Sequence, residues 1–201
     1  MPRNPLRKAF QTLGIGIHRH RASADRLAWL RSLEIRTVFD IGANVGQFAL
    51  EIREELPQAQ IYSFEPIQEC FAKLNIAFRN SPNFKAFNYA LGETEGSMPM
   101  NKSFYTPSSS LRDMADSHKE LFPHTKESAP ETIQIRRLDD VFAELKPQPG
   151  ILIKADTQGY EDKVIAGGPK AFAAASAVLI EACFVELYKG QPLFHDIYQK
   201  M

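Results

Sequence analysis

Apolar positions along the chain alternate between helical spacing and nearly continuous short runs. Over 23–33, Leu27, Ala28, Leu30 and Leu33 recur near helical spacing, with Ser23 as a cap and Trp29 beside the stripe, which predicts a helix leading into a first strand. "TVFDI" at Thr37–Ile41 is β-branched and aromatic, and Phe48, Leu50, Ile52 and Leu56 predict a helix ending before Pro57. "QIYSF" at Gln60–Phe64 is a second strand closed by "EP", and Cys70, Phe71, Leu74 and Phe78 form the inward stripe of the next helix. "FKAFNYAL" over 84–91 predicts a third strand, stopped by Gly92.

The stretch 93–130 reads differently, because it is rich in turn formers and polar groups and holds only short apolar patches. It is expected to be a long loop insertion with a short helix near 115–121, and a loop of that length in a compact domain usually carries function. "ETIQIRRL" then alternates with Ile133 and Ile135 on one face, and "DDVFAEL" gives a short helix. "GILIKAD" and "SAVLIEACF" are near-continuous apolar strands, and such runs between helices predict an α/β fold with a mostly parallel sheet and helices on both faces. The chain therefore divides into a basic arm and helix over 1–36 and one domain over 37–201.

Composition narrows what this domain can do. Lysine plus arginine and aspartate plus glutamate both total 24, so no overall field draws the chain to nucleic acid. The basic N-terminal stretch has an apolar centre, "LGIGI", too short for a signal peptide, and no segment is apolar enough for a membrane span; a cytoplasmic protein is expected. The two cysteines, Cys70 and Cys183, lack zinc-type spacing and are expected to be small buried thiols.

In open parallel sheets ligands bind beyond the carboxyl ends of the strands, and Asp40, Glu65, Asn88, Asp156 and Glu181 all fall at predicted strand tips. After the first strand comes D-x-G-x-N-x-G, in which Gly42 and Gly46 let the backbone approach a ligand closely. It is not the G-x-G-x-x-G of a dinucleotide loop, and Asp40 would repel a pyrophosphate but suit a cationic amine. Glu65, 23 residues after Gly42, fits the acid that accepts hydrogen bonds from ribose hydroxyls. An amino-acid cation joined to an adenosine describes S-adenosylmethionine. Taken singly, Asp40 reads more simply as a strand-end cap and the glycines as turn residues, and Glu65 reads equally as a helix start.

At "VFDIGANVGQF", "YSFEP", "NYALGETEG", "PSSSL", "RRLDDVF", "ILIKADTQGYEDKVIAGG" and "VLIEACFVELYKGQPLF" the sequence resembles the FkbM family of S-adenosylmethionine-dependent methyltransferases, in order from about Thr37 to the C-terminus. The resemblance implies a Rossmann-like class I methyltransferase fold and O-methylation of a hydroxyl on a sugar, glycan or small natural-product acceptor. It implies that Asp40, Gly42, Ala43, Asn44 and Gly46 line the methionine end of the cofactor and that Glu65 holds the ribose. It places Asn88, Ala90 and Leu91 against the adenine, and Ser110, within "SSSL", over the site. Asp156, with Gln158, Gly159 and Glu161, would stand where donor and acceptor meet, Asp156 as base helped by Glu161. Thr157 occupies a position more often valine in the family. Class I methyltransferases usually add an antiparallel hairpin of two more strands, whereas here a helix begins near Leu193 and Met201 follows, so those C-terminal strands are expected to be missing.

His118, His124 and His195 are alternative bases, and Phe104, Tyr105, Tyr160 and Tyr188 are candidates for stacking on a sugar. Asp139, Asp140 and Asp156 lie on separate elements without ligand spacing, so no metal is expected. Two other functions stay open. A nicotinamide-dependent oxidoreductase shares the fold logic, but Asp40 and the absent third glycine count against it. A non-catalytic interaction module would fit a sheet lacking its last strands.

Overall fold

The computed structural model describes residues 26–103, Leu111 and 128–201. After a 3-10 helix at Ala28–Leu33 the chain runs β1 (Thr37–Ile41), α1 (Gln47–Glu55), β2 (Gln60–Phe64), α2 (Gln68–Phe78) and β3 (Phe84–Phe87). Then come β4 (Ala90–Gly92), β5 (Gly96–Ser103), β6 (Ser128–Arg137), α3 (Leu138–Leu145), β7 (Ile151–Ala155), α4 (Glu161–Gly167), α5 (Pro169–Ala174), β8 (Ala177–Ile180) and α6 (Phe194–Lys200).

Strands β3, β2, β1, β7 and β8 form, in that order, a sheet in which every neighbouring pair is parallel. Both faces are covered, which is why β1 is buried along its whole length. On one face Val38, Ile61 and Leu152 pack against Ala49 and Ile52 of α1 and Leu74 and Phe78 of α2. On the other, Phe39, Ile41, Ile153 and Ala155 meet Leu138 and Val141 of α3, Val164 of α4 and Ala171 of α5. The expected α/β architecture is therefore present.

A second sheet, ordered β4, β6, β5, joins Ala90, Met100, Ile133 and Ile135 to Ile67 and Cys70 in a separate apolar cluster. Two expectations are corrected here. The strand read over 84–91 is broken, because the Asn88 side-chain amide donates to the carbonyls of Glu65 (3.0 Å) and Pro66 (2.9 Å), where the chain leaves one sheet for the other. Within the stretch read as loop, Gly96–Ser103 pairs antiparallel with β6 in register from Gly96 opposite Ile135 to Ser103 opposite Ser128. Its alternation is hidden by Pro99 and the polar residues around it.

The expected helix over 23–33 appears among the described residues mainly as the 3-10 turn, with Leu27 and Leu30 buried. The basic arm up to residue 25 and the helix expected near 115–121 lie outside the described residues. So do Phe104, Tyr105, Ser110, His118 and His124. Among the described residues no helix is long and apolar enough to cross a membrane.

Candidate active site

The strand order reverses between β1 and β7, since the chain proceeds outward to β3 on one side and later to β8 on the other. Loops leaving such neighbours diverge and open a crevice. A cavity of about 640 Å³ lies there, with walls drawn from the segments after β1, β2, β7 and β8.

The turn after β1 is held in left-handed backbone at Gly42 (φ 76°), Asn44 (φ 50°) and Gly46 (φ 95°). Gly42 and Ala43 both donate their N–H to the Phe64 carbonyl at 3.1 Å, tying the turn to the tip of β2. The reason for glycine differs from the expected one. A Cβ on Gly42 would lie 1.9 Å from the Asp156 carbonyl oxygen, and one on Gly46 would lie 2.7 and 2.8 Å from Leu74 and Phe78 of α2. Both glycines are required by packing. Gly42, Ala43 and Asn44 still border the cavity, whereas Gly46 is not among its lining residues.

Asp40 requires a correction. It is 0% exposed and outside the cavity lining, so it cannot touch a ligand there directly. It sits instead in a polar row across three strands, with Ser63 of β2 and Lys154 of β7 as register partners. Ser63 Oγ donates to Asp40 Oδ2 at 3.2 Å, and Lys154 Nζ pairs with Oδ1 at 3.2 Å. Burial raises the Asp40 carboxyl above its ordinary range, against the pull of Lys154. The same ammonium donates to the carbonyls of Gly42 (2.9 Å) and Ile41 (3.3 Å), so Lys154 fixes the turn that walls the cavity.

Glu65 does reach the cavity. Its carboxylate accepts from the N–H groups of Asn44 and Ile67, both at 2.8 Å, which joins the β1 turn to the start of α2. Burial pushes it up to about 7. Ala90, Leu91 and Ile67 continue the wall beside it as an apolar surface, while Asn88 remains behind, engaged with backbone. A folded-state value above the ordinary 4.5 means that the folded protein binds this proton more tightly. The contribution of Glu65 to stability is thus full below 4.5 and lost as pH rises through about 7, a span equivalent to about 3 kcal/mol. Urea unfolding across that window should show this slope in wild type and its loss in Glu65→Ala.

At the tip of β7, Asp156 borders the cavity with Thr157, Gln158 and Tyr160. Gln158 and Gly159 take left-handed backbone, φ 56° and 92°. The Gln158 amide nitrogen donates to Asp156 Oδ1 and to Glu181 Oε2, both at 2.8 Å, and its oxygen accepts from the Tyr188 hydroxyl at 2.8 Å. Lys154 Nζ lies 3.8 Å from Asp156 Oδ2.

Glu161 is the second correction. It is 3% exposed and outside the cavity lining, and its Oε1 accepts from Thr157 N–H (2.7 Å), Thr157 Oγ1 (3.0 Å) and Gly159 N–H (3.3 Å). The carboxylate staples the turn that carries Asp156 and Gln158. The bond from Thr157 Oγ1 gives a hydroxyl-bearing residue a partner at that point. Tyr160 reaches the cavity; Tyr188 is buried behind Gln158, and His195 is exposed away from it.

Lys154 and Glu181 also line the cavity; Glu181 was expected at a strand tip there, Lys154 was not. The signal for Lys154 was a lone cation inside "ILIKA", a strand otherwise apolar throughout. Glu181 was already placed at a strand tip, and only its link to Gln158 needed three dimensions.

The family model described as Methyltransferase FkbM domain matches residues 40–201. The chain belongs to the FkbM methyltransferase family. Among its relatives, "2-O-methyltransferase NoeI" of Sinorhizobium fredii is 28% identical over 160 residues, covering 77% of this chain and 66% of NoeI. "Methyltransferase sdnD" of Sordaria araneosa is 30% identical over 154 residues, covering 65% of this chain and 59% of sdnD. The FkbM chain thus spans less than two thirds of either curated relative. The solved plantazolicin methyltransferase BpumL, in complex with SAH, aligns over 89% of this chain and 55% of its own at 11% identity and a TM-score of 0.39, a likeness that adds nothing to the family assignment.

Proposed function

We propose that this FkbM domain binds S-adenosylmethionine and methylates a hydroxyl on a sugar, glycan or small natural-product acceptor. The observation that carries the reading is the division of one switch-point cavity into an apolar end beside Glu65 and a carboxylate end at Asp156 and Glu181. Carboxylates at both ends suit a nucleoside bearing a cation. Among the described residues the cations lining the cavity are already engaged, Lys154 by Asp40 and Arg26 by Glu51 at 2.7 Å, which disfavours a pyrophosphate and with it a dinucleotide. The relative NoeI is named a 2-O-methyltransferase, which favours a hydroxyl acceptor.

The cofactor supplies an electrophilic methyl group on a sulfonium. In this reading Glu65 accepts from the ribose, Ala90, Leu91 and Ile67 pack on the base, and the turn at Ala43 and Asn44 borders the amino-acid portion. Asp156 places negative charge where donor and acceptor meet. Orientation of the reacting groups recovers about 7–11 kcal/mol of barrier in favourable cases, so the rigidity of these turns is itself catalytic.

Trp29 is the single tryptophan, lines the cavity and is 47% exposed, so its fluorescence reports occupancy. Titration with S-adenosylmethionine or S-adenosylhomocysteine should give saturable changes that Glu65→Ala weakens; a folded wild-type chain with no saturable response would overturn the reading. Asp156→Asn should retain most cofactor affinity and lose roughly 10²-fold in turnover, read by mass spectrometry over hydroxylated sugars and glycolipids.

A further inference from the structure

We infer that Glu181 is the residue that takes the proton from the acceptor hydroxyl, with Gln158 as the positioning residue that holds it beside Asp156. This rests on the methyl-transfer reading above. Glu181 follows directly on β8 and lines the cavity, and its N–H donates to the Ala155 carbonyl at 2.9 Å, which fixes its backbone to the tip of β7. Its carboxylate and that of Asp156 share one donor, the Gln158 amide nitrogen, at 2.8 Å each. The Tyr188 hydroxyl, donating to the Gln158 oxygen, keeps that nitrogen turned toward the two acids.

The surroundings of the two carboxylates separate their roles. Lys154, on β7, stands 3.8 Å from Asp156 Oδ2 and so holds that carboxylate at the strand tip. Around Glu181 the facing groups are Lys154 from β7, Asp156 just past its end and Glu161 from α4, with Cys183 and Tyr188 from the segment after β8. Withdrawal from solvent and then the Asp156 charge push Glu181 up to about 8, an effect moderated because part of its side chain still reaches water. Glu181 is thus the carboxyl of the pair placed to exchange a proton near neutral pH. Asp156 stays engaged with Lys154 and Gln158, and Glu181 exchanges the proton.

Glu181 gives up its proton when the sulfonium binds, and the acceptor O–H proton then passes to the freed Glu181 carboxylate as the new O–C bond forms. The electron pair of the breaking C–S bond returns to sulfur, which changes from sulfonium to neutral thioether. Glu181 then keeps that proton until the next sulfonium displaces it to solvent through its exposed edge.

The test needs no acceptor. Carboxyl ¹³C NMR titration of the full chain should show one group titrating near 8 that is absent in Glu181→Gln. Gln158→Asn, whose shorter amide cannot span both acids and which tolerates left-handed backbone, should move that titration further upward. Calorimetry at neutral pH in buffers of different ionisation heat should show proton release when S-adenosylmethionine binds wild type. Release should be smaller for S-adenosylhomocysteine and lost in Glu181→Gln. A Glu181 that titrates in the ordinary carboxylate range, or equal proton release by the variant, would overturn the assignment even where the cofactor binds. Failure of wild type to bind S-adenosylmethionine would instead overturn the methyl-transfer reading, and this inference with it.

Discussion

Gly42→Ala is expected to destabilise the domain by about 4 kcal/mol or more and to abolish saturable S-adenosylmethionine binding. Two costs combine. The backbone at φ 76° already disfavours any residue with a Cβ, by about 1 kcal/mol. The larger cost is steric, since the added carbon would lie 1.9 Å from the Asp156 carbonyl oxygen and 2.9 Å from its carbon. That carbonyl cannot give way, because the Asp156 N–H is bonded to Ile41 at 3.1 Å and the next residues are stapled by Glu161. Relief requires β1 and β7 to part at the point where the cavity opens. Gly96→Ala separates the two costs: its Cβ meets nothing within 4 Å, so only a backbone penalty of about 1 kcal/mol is expected. Urea unfolding of the two variants should differ by the steric part, and equal midpoints would remove the close contact from the account.

The parallel sheet was legible because burial on both faces writes itself as continuous apolar runs, in "TVFDI" and "ILIKA" above all. The strand at Gly96–Ser103 was not legible, because pairing there is antiparallel and only Met98 and Met100 supply an apolar face. The join between β3 and β4 was hidden for another reason. "FKAFNYAL" has the composition of one strand, and its interruption comes from the Asn88 side chain bonding to backbone 22 and 23 residues earlier, a contact that no local pattern encodes.

The site was legible in its positions and less so in its roles. Strand tips could be counted from sequence, so Asp40, Glu65, Asp156 and Glu181 were all placed at one end of the sheet. Which way a side chain faces at that tip depends on its neighbours across the sheet. Asp40 points into the layer of α1 and α2 with Ser63 and Lys154, whereas Glu65, just past its own strand, turns into the cavity. Glu161 lies one helical start beyond Asp156 and folds back on the turn, an arrangement in which a motif residue supports the ligand-facing residues without joining them.

Lys154→Met should cost about 3–5 kcal/mol, because it strands a carboxylate with no exposed surface. The Lys154 side chain is itself only 12% exposed, and it satisfies two carbonyls of the β1 turn in addition to Asp40. The Asp40 carboxyl is already raised by burial with the cation present, so its loss raises it further. In the variant the folded state therefore binds the Asp40 proton more tightly than the unfolded chain does. The stability deficit is largest at neutral pH and shrinks as pH falls and Asp40 becomes neutral. Lys154→Met combined with Asp40→Asn removes the buried charge while keeping an acceptor for Ser63, and should recover most of the loss. Urea unfolding of the single and double variants from acid to neutral pH would test this, and a pH-independent deficit that Asp40→Asn leaves unrepaired would show that Lys154 acts through the Gly42 and Ile41 carbonyls alone. The pair's placement explains why its effect reaches function: the ammonium that neutralises Asp40 also fixes the Gly42 turn and stands beside Asp156, so one substitution unsettles the cavity wall and the charge opposite it together.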